Sequence, residues 1–250
     1  NYTYFAISFS KSIKKYGYED KQKIAYNGFW RRFKVNENFP EIGGRKVVSY
    51  FEFDDSDNKP LEIKVALSGV STLGALKNLE AEASGRTFDE LTIQAAEKWN
   101  KELSVIEAHG DKDKLTMLYT SLYHTLINPS VYADVDGQYR GVDQAVHQTK
   151  DFMNYTVFSV WDTYRALHPL FNIINRERNA DMVKSMIAHS QQSVHKALPV
   201  WSHMGNENWC MIGYHSVSVL SDAIAKGLPV DKDQSLKAMI SSSSIPYYDY

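Results

Sequence analysis

The sequence predicts an α+β chain in which a β-rich first third gives way to a helical remainder. Two patterns carry this prediction. Apolar residues alternate with a period of two early in the chain, and from Thr87 onward they recur at about three and a half residues. The helical segments are also joined by short connections, which sets consecutive helices antiparallel.

In chain order, Tyr2–Phe9 places Thr3, Phe5, Ile7 and Phe9 on one face and Tyr2, Tyr4, Ala6 and Ser8 on the other. Val47–Phe53 and Leu61–Leu67 are further β-rich runs. Between them, Asp54-Asp-Ser-Asp-Asn-Lys-Pro60 has the composition of a hairpin loop. Its alternating oxygens also suit calcium, although the Gly and closing Glu of a calcium loop are missing. Three or four strands cannot complete a sandwich, which needs about seven. The region therefore reads as the closing part of a β domain. Ser71–Ser84 is a helix-compatible transition, and a boundary is expected near Gly85.

Thr87-Phe-Asp-Glu90 fits a capping box, and Leu91, Ala95, Trp99 and Leu103 then share one helical face. A second helix carries Leu115, Leu118, Leu122 and Leu126 and stops before Pro129. Val131–Asp151 reads as a long irregular insertion. In it Asp134, Asp136 and Asp143 either bind a cation or sugar hydroxyls, or form turns in a β-excursion. Helices follow at about 159–174, 178–193, 208–226 and 232–242, with Gly227-Leu-Pro229 as a stop signal. Six helices in three hairpins make an incomplete ring or a solenoid.

Composition narrows the function classes. A chain of 250 residues with 43% apolar and 23% charged residues can bury a core as one large domain or two smaller ones. Its net charge of -2 and lack of a long basic run argue against tracking a nucleic-acid backbone. No run approaches the roughly 18 apolar residues of a membrane span. The single cysteine, Cys210, excludes an intrachain disulfide. The 16 Tyr and 5 Trp suit stacking on a polar ligand. Neither end resembles a natural terminus, so a piece of a longer chain is expected.

The stretch from Tyr155 to Tyr214 concentrates the candidate chemistry. Trp161 and Asp162 begin the third predicted helix, where the helix dipole favours a carboxylate. Asp162 either pairs with Arg165 at i,i+3 or accepts from vicinal sugar hydroxyls, while Trp161 or Tyr164 offers a ring to the sugar's C–H face. His168 reads as a satisfied, partly buried histidine. Further on, Gly205 permits a tight turn, Asn206 caps the next helix, and Glu207 sits in its first turn. The apolar neighbours of Glu207 favour a raised pKa suited to acid catalysis. Cys210 reads as a packed helical cysteine, with a nucleophile beside His203 or His215 as the alternative. Zinc spacings, phosphate loops and GxSxG elbows are missing from the sequence.

Several blocks resemble glycoside hydrolase family 92, the calcium-dependent exo-α-mannosidases. They are Leu122-Tyr-His-Thr-Leu126, Asp134-Val-Asp-Gly-Gln-Tyr-Arg-Gly141, Val160-Trp-Asp-Thr-Tyr-Arg-Ala-Leu-His-Pro169 and Gly205-Asn-Glu-Asn-Trp-Cys-Met-Ile-Gly-Tyr-His215. Asn78-Leu-Glu80 and Trp99-Asn100 match in order. The resemblance implies a β-sandwich end at residues 1–75, a helical linker at 76–106, and the first half of an (α/α)6 toroid at 107–250. It implies an inverting mechanism on terminal α-mannosides, with Ca2+ gripping the mannose hydroxyls. The family's acid lies in a later Gly-Asn-Glu-Pro motif and its base in a later Asp-Cys-Gly-type motif. Neither occurs before Tyr250, so the catalytic residues and most calcium ligands are expected beyond it. Trp161, Asp162, Arg165, Asn206, Glu207 and His215 are then mannose-wall candidates. Mannose-containing glycans are the expected partners, and a periplasmic or extracellular location follows from family habit. Two other readings stay open: a non-catalytic carbohydrate-binding helical module, and a different toroid glycosidase using Asp162 and Glu207 as acid and base.

Overall fold

The computed structural model describes residues 2–21, 46–149 and 151–245. They fall into two compact units, Ile7–Val65 and Asn1–Ala6 with Ala66–Tyr250. The first four strands are β1 (Tyr4–Phe9), β2 (Ile13–Asp20), β3 (Val47–Phe53) and β4 (Ile63–Ser68). β1 pairs with β4, and β2 pairs with β3. The β2–β3 ladder is antiparallel, sets Tyr16 opposite Phe51, and carries an irregularity after Ile13. β2 is a strand that the sequence does not announce. Its Ile-Lys-Lys-Tyr-Gly-Tyr-Glu-Asp is half charged and contains a Gly, and the pairing with β3 supplies the hydrogen bonds that propensity does not.

The segment Asp54–Pro60 is a loop but not a hairpin turn, because β3 and β4 take different partners. Lys11 answers its acidic residues. The ammonium lies 2.8 Å from Asp55 and 2.7 Å from Asp57, so a lysine charge sits where the alternating oxygens suggested a cation.

Three helices follow, α1 (Thr72–Glu82), α2 (Phe88–Leu103) and α3 (Lys112–Thr125). Each begins on a side chain that meets orphan N–H groups. Ser71 accepts from Gly74, Thr87 and Glu90 form the expected capping box, and Asp111 accepts from Asp113 and Lys114. The transition segment is thus a full helix of 11 residues. Trp99 of α2 and Tyr123 of α3 pack with ring centroids 4.6 Å apart.

The predicted irregular insertion is a β-excursion. β5 (Ser130–Val131) pairs with β8 (Tyr155–Thr156), and between them β6 (Gln138–Arg140) pairs with β7 (Val146–Gln148). β9 (Phe158–Ser159) then leads into α4 (Val160–Thr163) and α5 (Leu167–Ile174). One helix was expected over this span, and two are found. Pro169 in the first turn of α5 has no N–H to continue an earlier helix, and its ring crowds the turn before it. α6 (Arg176–Gln192) completes the packing of this region.

A second correction concerns the predicted helix at 208–226. The chain instead forms β10 (Trp201–His203) and β11 (Asn206–Glu207), and α7 begins at Ser216 and ends at Ala225. Met204 and Gly205 link the two strands with φ of 46° and 74°, the left-handed pair that a two-residue hairpin requires. Positive φ at Trp209, Met211 and Gly213 keeps the following loop out of a helix. After α7 the Gly227 turn leads to α8 (Lys232–Ser243), capped by Asp231. The buried core joins β9, α5, α6, α7 and α8 through Phe158, Phe171, Met182, Met186, Leu220 and Ala238.

Candidate functional site

The two signature stretches meet in one small sheet of order β11-β10-β9. Ser159 of β9 lies opposite Trp201 of β10, and Ser202 opposite Glu207. At the end of β9, the Ser159 hydroxyl donates to Asp162 Oδ2 at 2.5 Å. Asp162 is exposed, and among the described residues its Oδ1 has no protein donor.

Around His215 the aromatic rings converge. Tyr164 stacks on His215 with centroids 4.2 Å apart and planes 6° from parallel. Trp161 approaches the same imidazole at 5.2 Å. The Arg165 guanidinium lies 4.9 Å from the Trp161 ring centroid and 5.0 Å from that of Tyr164. This replaces the i,i+3 ion pair: Arg165 rests on the rings, and no ion pair joins it to Asp162 among the described residues. Trp161, Arg165 and His215 therefore come together with Tyr164, while Asp162 follows Trp161 on α4 and is held by Ser159.

Asn206 and Glu207 are held differently. Neither caps a helix, since both lie in β11. Asn206 is exposed and borders a water-sized cavity of about 30 Å³. The Glu207 side chain is only 6% exposed. Its Oε1 accepts from the backbone N–H of Trp201 at 2.8 Å and of Trp209 at 3.0 Å, and its Oε2 from Val200 at 3.0 Å. Burial pushes the carboxyl up, against the pull of these N–H donors. His189 stands 3.5 Å from Oε2, and its own burial lowers it to about 4, so it faces the carboxyl as a neutral ring.

The remaining candidates have protein partners or different settings. Asp134 is buried and accepts from Ser68 at 2.7 Å and Asn78 at 2.9 Å. Asp136 pairs with Lys77 at 2.9 Å and Asp143 with His147 at 3.0 Å. The three aspartates thus serve the β-excursion and its contact with α1, the turn-forming alternative. Cys210 is exposed in the loop before α7 rather than packed in a helix. His168 is fully buried on α5. A cavity of about 290 Å³ near the C-terminal end of α3 is lined by Leu126, Pro129, Tyr155, Phe171, Arg178 and Met182, and it contains none of the predicted site residues. Among the described residues no group of three or more His, Cys, Asp or Glu is placed to hold a metal ion.

The model of the glycosyl hydrolase family 92 catalytic domain matches residues 74–249. The chain belongs to glycosyl hydrolase family 92. It is 38% identical to the family GH92 α-mannosidase BT3965 of Bacteroides thetaiotaomicron, solved in complex with mannoimidazole, with a TM-score of 0.87. That match covers 99% of this chain and 32% of the other. It is also similar to the family GH92 inverting mannosidase BT2199 of Bacteroides thetaiotaomicron VPI-5482, at 29% identity and a TM-score of 0.79, covering 95% of this chain and 31% of that one. The family 92 chain thus spans about a third of the length of these structures. None of the curated proteins matches it.

One residue that sequence reading passed over shapes the ring cluster of this family 92 chain. Gly213 has φ of +87°, and a Cβ there would lie 2.8 Å from His215 Nε2. Both the left-handed backbone and the space for the imidazole need glycine. Gly213→Ala is expected to lower the thermal unfolding midpoint, by the equivalent of about 1–3 kcal/mol for a strained left-handed residue. An unchanged midpoint would show that the loop absorbs the Cβ without moving His215. The only sequence signal was the Gly itself beside Tyr214 and His215.

Proposed function

We propose that this chain is part of an exo-acting α-mannosidase that hydrolyses terminal α-mannosides with inversion, and that it supplies part of the mannose-binding wall. The observation that carries the reading is the exposed Asp162, anchored through Oδ2 by Ser159 and leaving Oδ1 for a ligand, on the same short helix as Trp161, whose ring joins Tyr164 at His215. A carboxylate oxygen accepts well from a sugar hydroxyl, and an adjacent ring covers the sugar's C–H face. Arg165 brings guanidinium donors to the same rings. Similarity to an α-mannosidase solved with mannoimidazole supports mannose as the sugar.

Inversion requires two carboxyl groups on opposite sides of the glycosidic bond, one protonating the leaving oxygen and one activating water. Glu207 is engaged by three backbone N–H groups, which supports a role in holding the wall in place of one in proton transfer. The acid and base are assigned to the part of the longer protein that these residues do not span. The calcium ligands are assigned to that same part. Asp55, Asp57, Asp134, Asp136 and Asp143 have lysine, histidine, serine or amide partners, and the described residues do not gather into a calcium cage.

The test uses the full-length protein and an aryl α-mannoside, with and without a calcium chelator. Calcium-dependent release of mannose is expected from the full-length protein and none from residues 1–250 alone. Turnover by the 250-residue polypeptide would refute the assignment of catalysis outside it. Asp162→Asn in the full-length protein is expected to raise KM about 10- to 100-fold, the worth of a charge-assisted hydrogen bond, with kcat less affected. An unaltered KM would remove Asp162 from the wall.

A further inference from the structure

A chain of buried amides runs from α7 across α5 to α6 and ends on His168. Asp222 of α7 is ion-paired with Lys226 at 2.9 Å. Asn172 of α5 donates through Nδ2 to Asp222 Oδ2 at 2.8 Å. Asn179 of α6 donates through Nδ2 to Asn172 Oδ1 at 2.6 Å. Asn179 Oδ1 then lies 2.8 Å from His168 Nδ1. His168, Asn172 and Asn179 are at most 1% exposed, so water does not offer alternatives to these contacts.

The direction of every link follows from its outer end. An ionised carboxylate only accepts, so Asn172 must turn its NH2 to Asp222 and its carbonyl oxygen to Asn179. Asn179 must then turn its NH2 to Asn172, which leaves its oxygen for His168. An oxygen facing Nδ1 requires a hydrogen on Nδ1. Burial lowers His168 to about 4, so the ring is neutral at pH 7 and carries one hydrogen only. The second nitrogen is therefore a bare lone pair, and Nε2 is a buried atom without a hydrogen-bond partner among the described residues.

We infer that Asp222 is a positioning residue which, through Asn172 and Asn179, fixes the Nδ1–H tautomer of His168 and locks α5 against α6 and α7. The consequence reaches the ring cluster. The segment entering α5 carries Trp161, Asp162, Tyr164 and Arg165, and the residue entering α7 is the His215 on which Tyr164 stacks. The same two helices are joined at one end by the stack and further along by the Asn172–Asp222 bond, which Asn179 of α6 extends to His168. A buried network with a single allowed direction is satisfied in only one register, so it holds the two halves of the wall at fixed spacing. This last step rests on the mannose-wall reading; the tautomer does not.

The test is neutron crystallography of the full-length protein together with its kinetics on an aryl α-mannoside. In the wild type a hydrogen is expected on His168 Nδ1 and none on Nε2, with the Asn172 and Asn179 amides oriented as described; a hydrogen on Nε2 would overturn the inference. Asp222→Asn keeps the shape but can donate as well as accept, so it allows the chain to run in either direction. The variant is expected to show both tautomers and to raise KM about fivefold, the factor that one ordinary hydrogen bond represents, with little change in kcat. A variant retaining the pure Nδ1–H form would remove Asp222 as the determinant. A mixed tautomer with unchanged KM would overturn the positioning role. If the wild type cleaved no α-mannoside, the proposed function would fall while the hydrogen positions still decided the relay.

Discussion

Replacing Glu207 by alanine in the full-length protein is expected to remove roughly 3–5 kcal/mol of stability, since each buried donor left without an acceptor is worth about 1–3 kcal/mol. Three such donors, the N–H groups of Val200, Trp201 and Trp209, converge on this carboxylate. Trp209 is exposed enough for water to replace the lost contact in part, which keeps the sum below three full penalties. The measurement is the urea midpoint of the region, and an unshifted midpoint would show that the β10–β11 turn holds without its carboxylate. Glu207→Gln separates the functional readings. It keeps one acceptor oxygen but sets an NH2 against a backbone donor, so Trp201 and the paired Ser159 are displaced and mannoside KM rises. Lost turnover with unchanged KM would instead mark Glu207 as the acid.

Acidification from pH 6.5 to pH 4 is expected to destabilise this region by up to about 3 kcal/mol for each of two histidines. His168 and His189 are both lowered by burial from 6.5 to about 4. A histidine with a depressed folded pKa binds its proton more readily when unfolded. Its contribution is complete above pH 6.5 and is lost as pH falls towards 4. Glu207 opposes this with the other sign: its folded pKa is raised, so the folded state takes up that proton first and gains as pH falls towards the ordinary glutamate value. Two losses against one gain leave a net decline. His189→Gln should flatten the pH dependence of the thermal midpoint by about half, and a midpoint constant across this window would refute the assignment.

Some of the site was legible before any coordinates. Trp161, Arg165 and His215 were among the residues read as a mannose wall, and the structure brings these three into one cluster with Tyr164. Asn206 and Glu207 were read as a helix start because Gly-Asn-Glu-Asn has capping composition. The same composition also suits a hairpin, and the choice depends on whether β9 is present to pair with β10. Likewise the choice between ligand and turn for Asp134, Asp136 and Asp143 stayed open because their partners Ser68, Lys77, Asn78 and His147 carry no signal of facing them.

The sequence by itself determined which stretches are helices or strands wherever the signal is local. The capping box at Thr87 and Glu90, the period of α2 and the Gly227 stop act within a turn or two of chain. Its motif blocks also determined the family. Only the tertiary structure decided what each polar side chain does. Lys11 between two aspartates, and Asp222 setting a histidine tautomer through two asparagines, both depend on groups far apart in sequence. Hydrogen bonds between such groups form only when packing brings them within about 3 Å, and no local pattern records that distance.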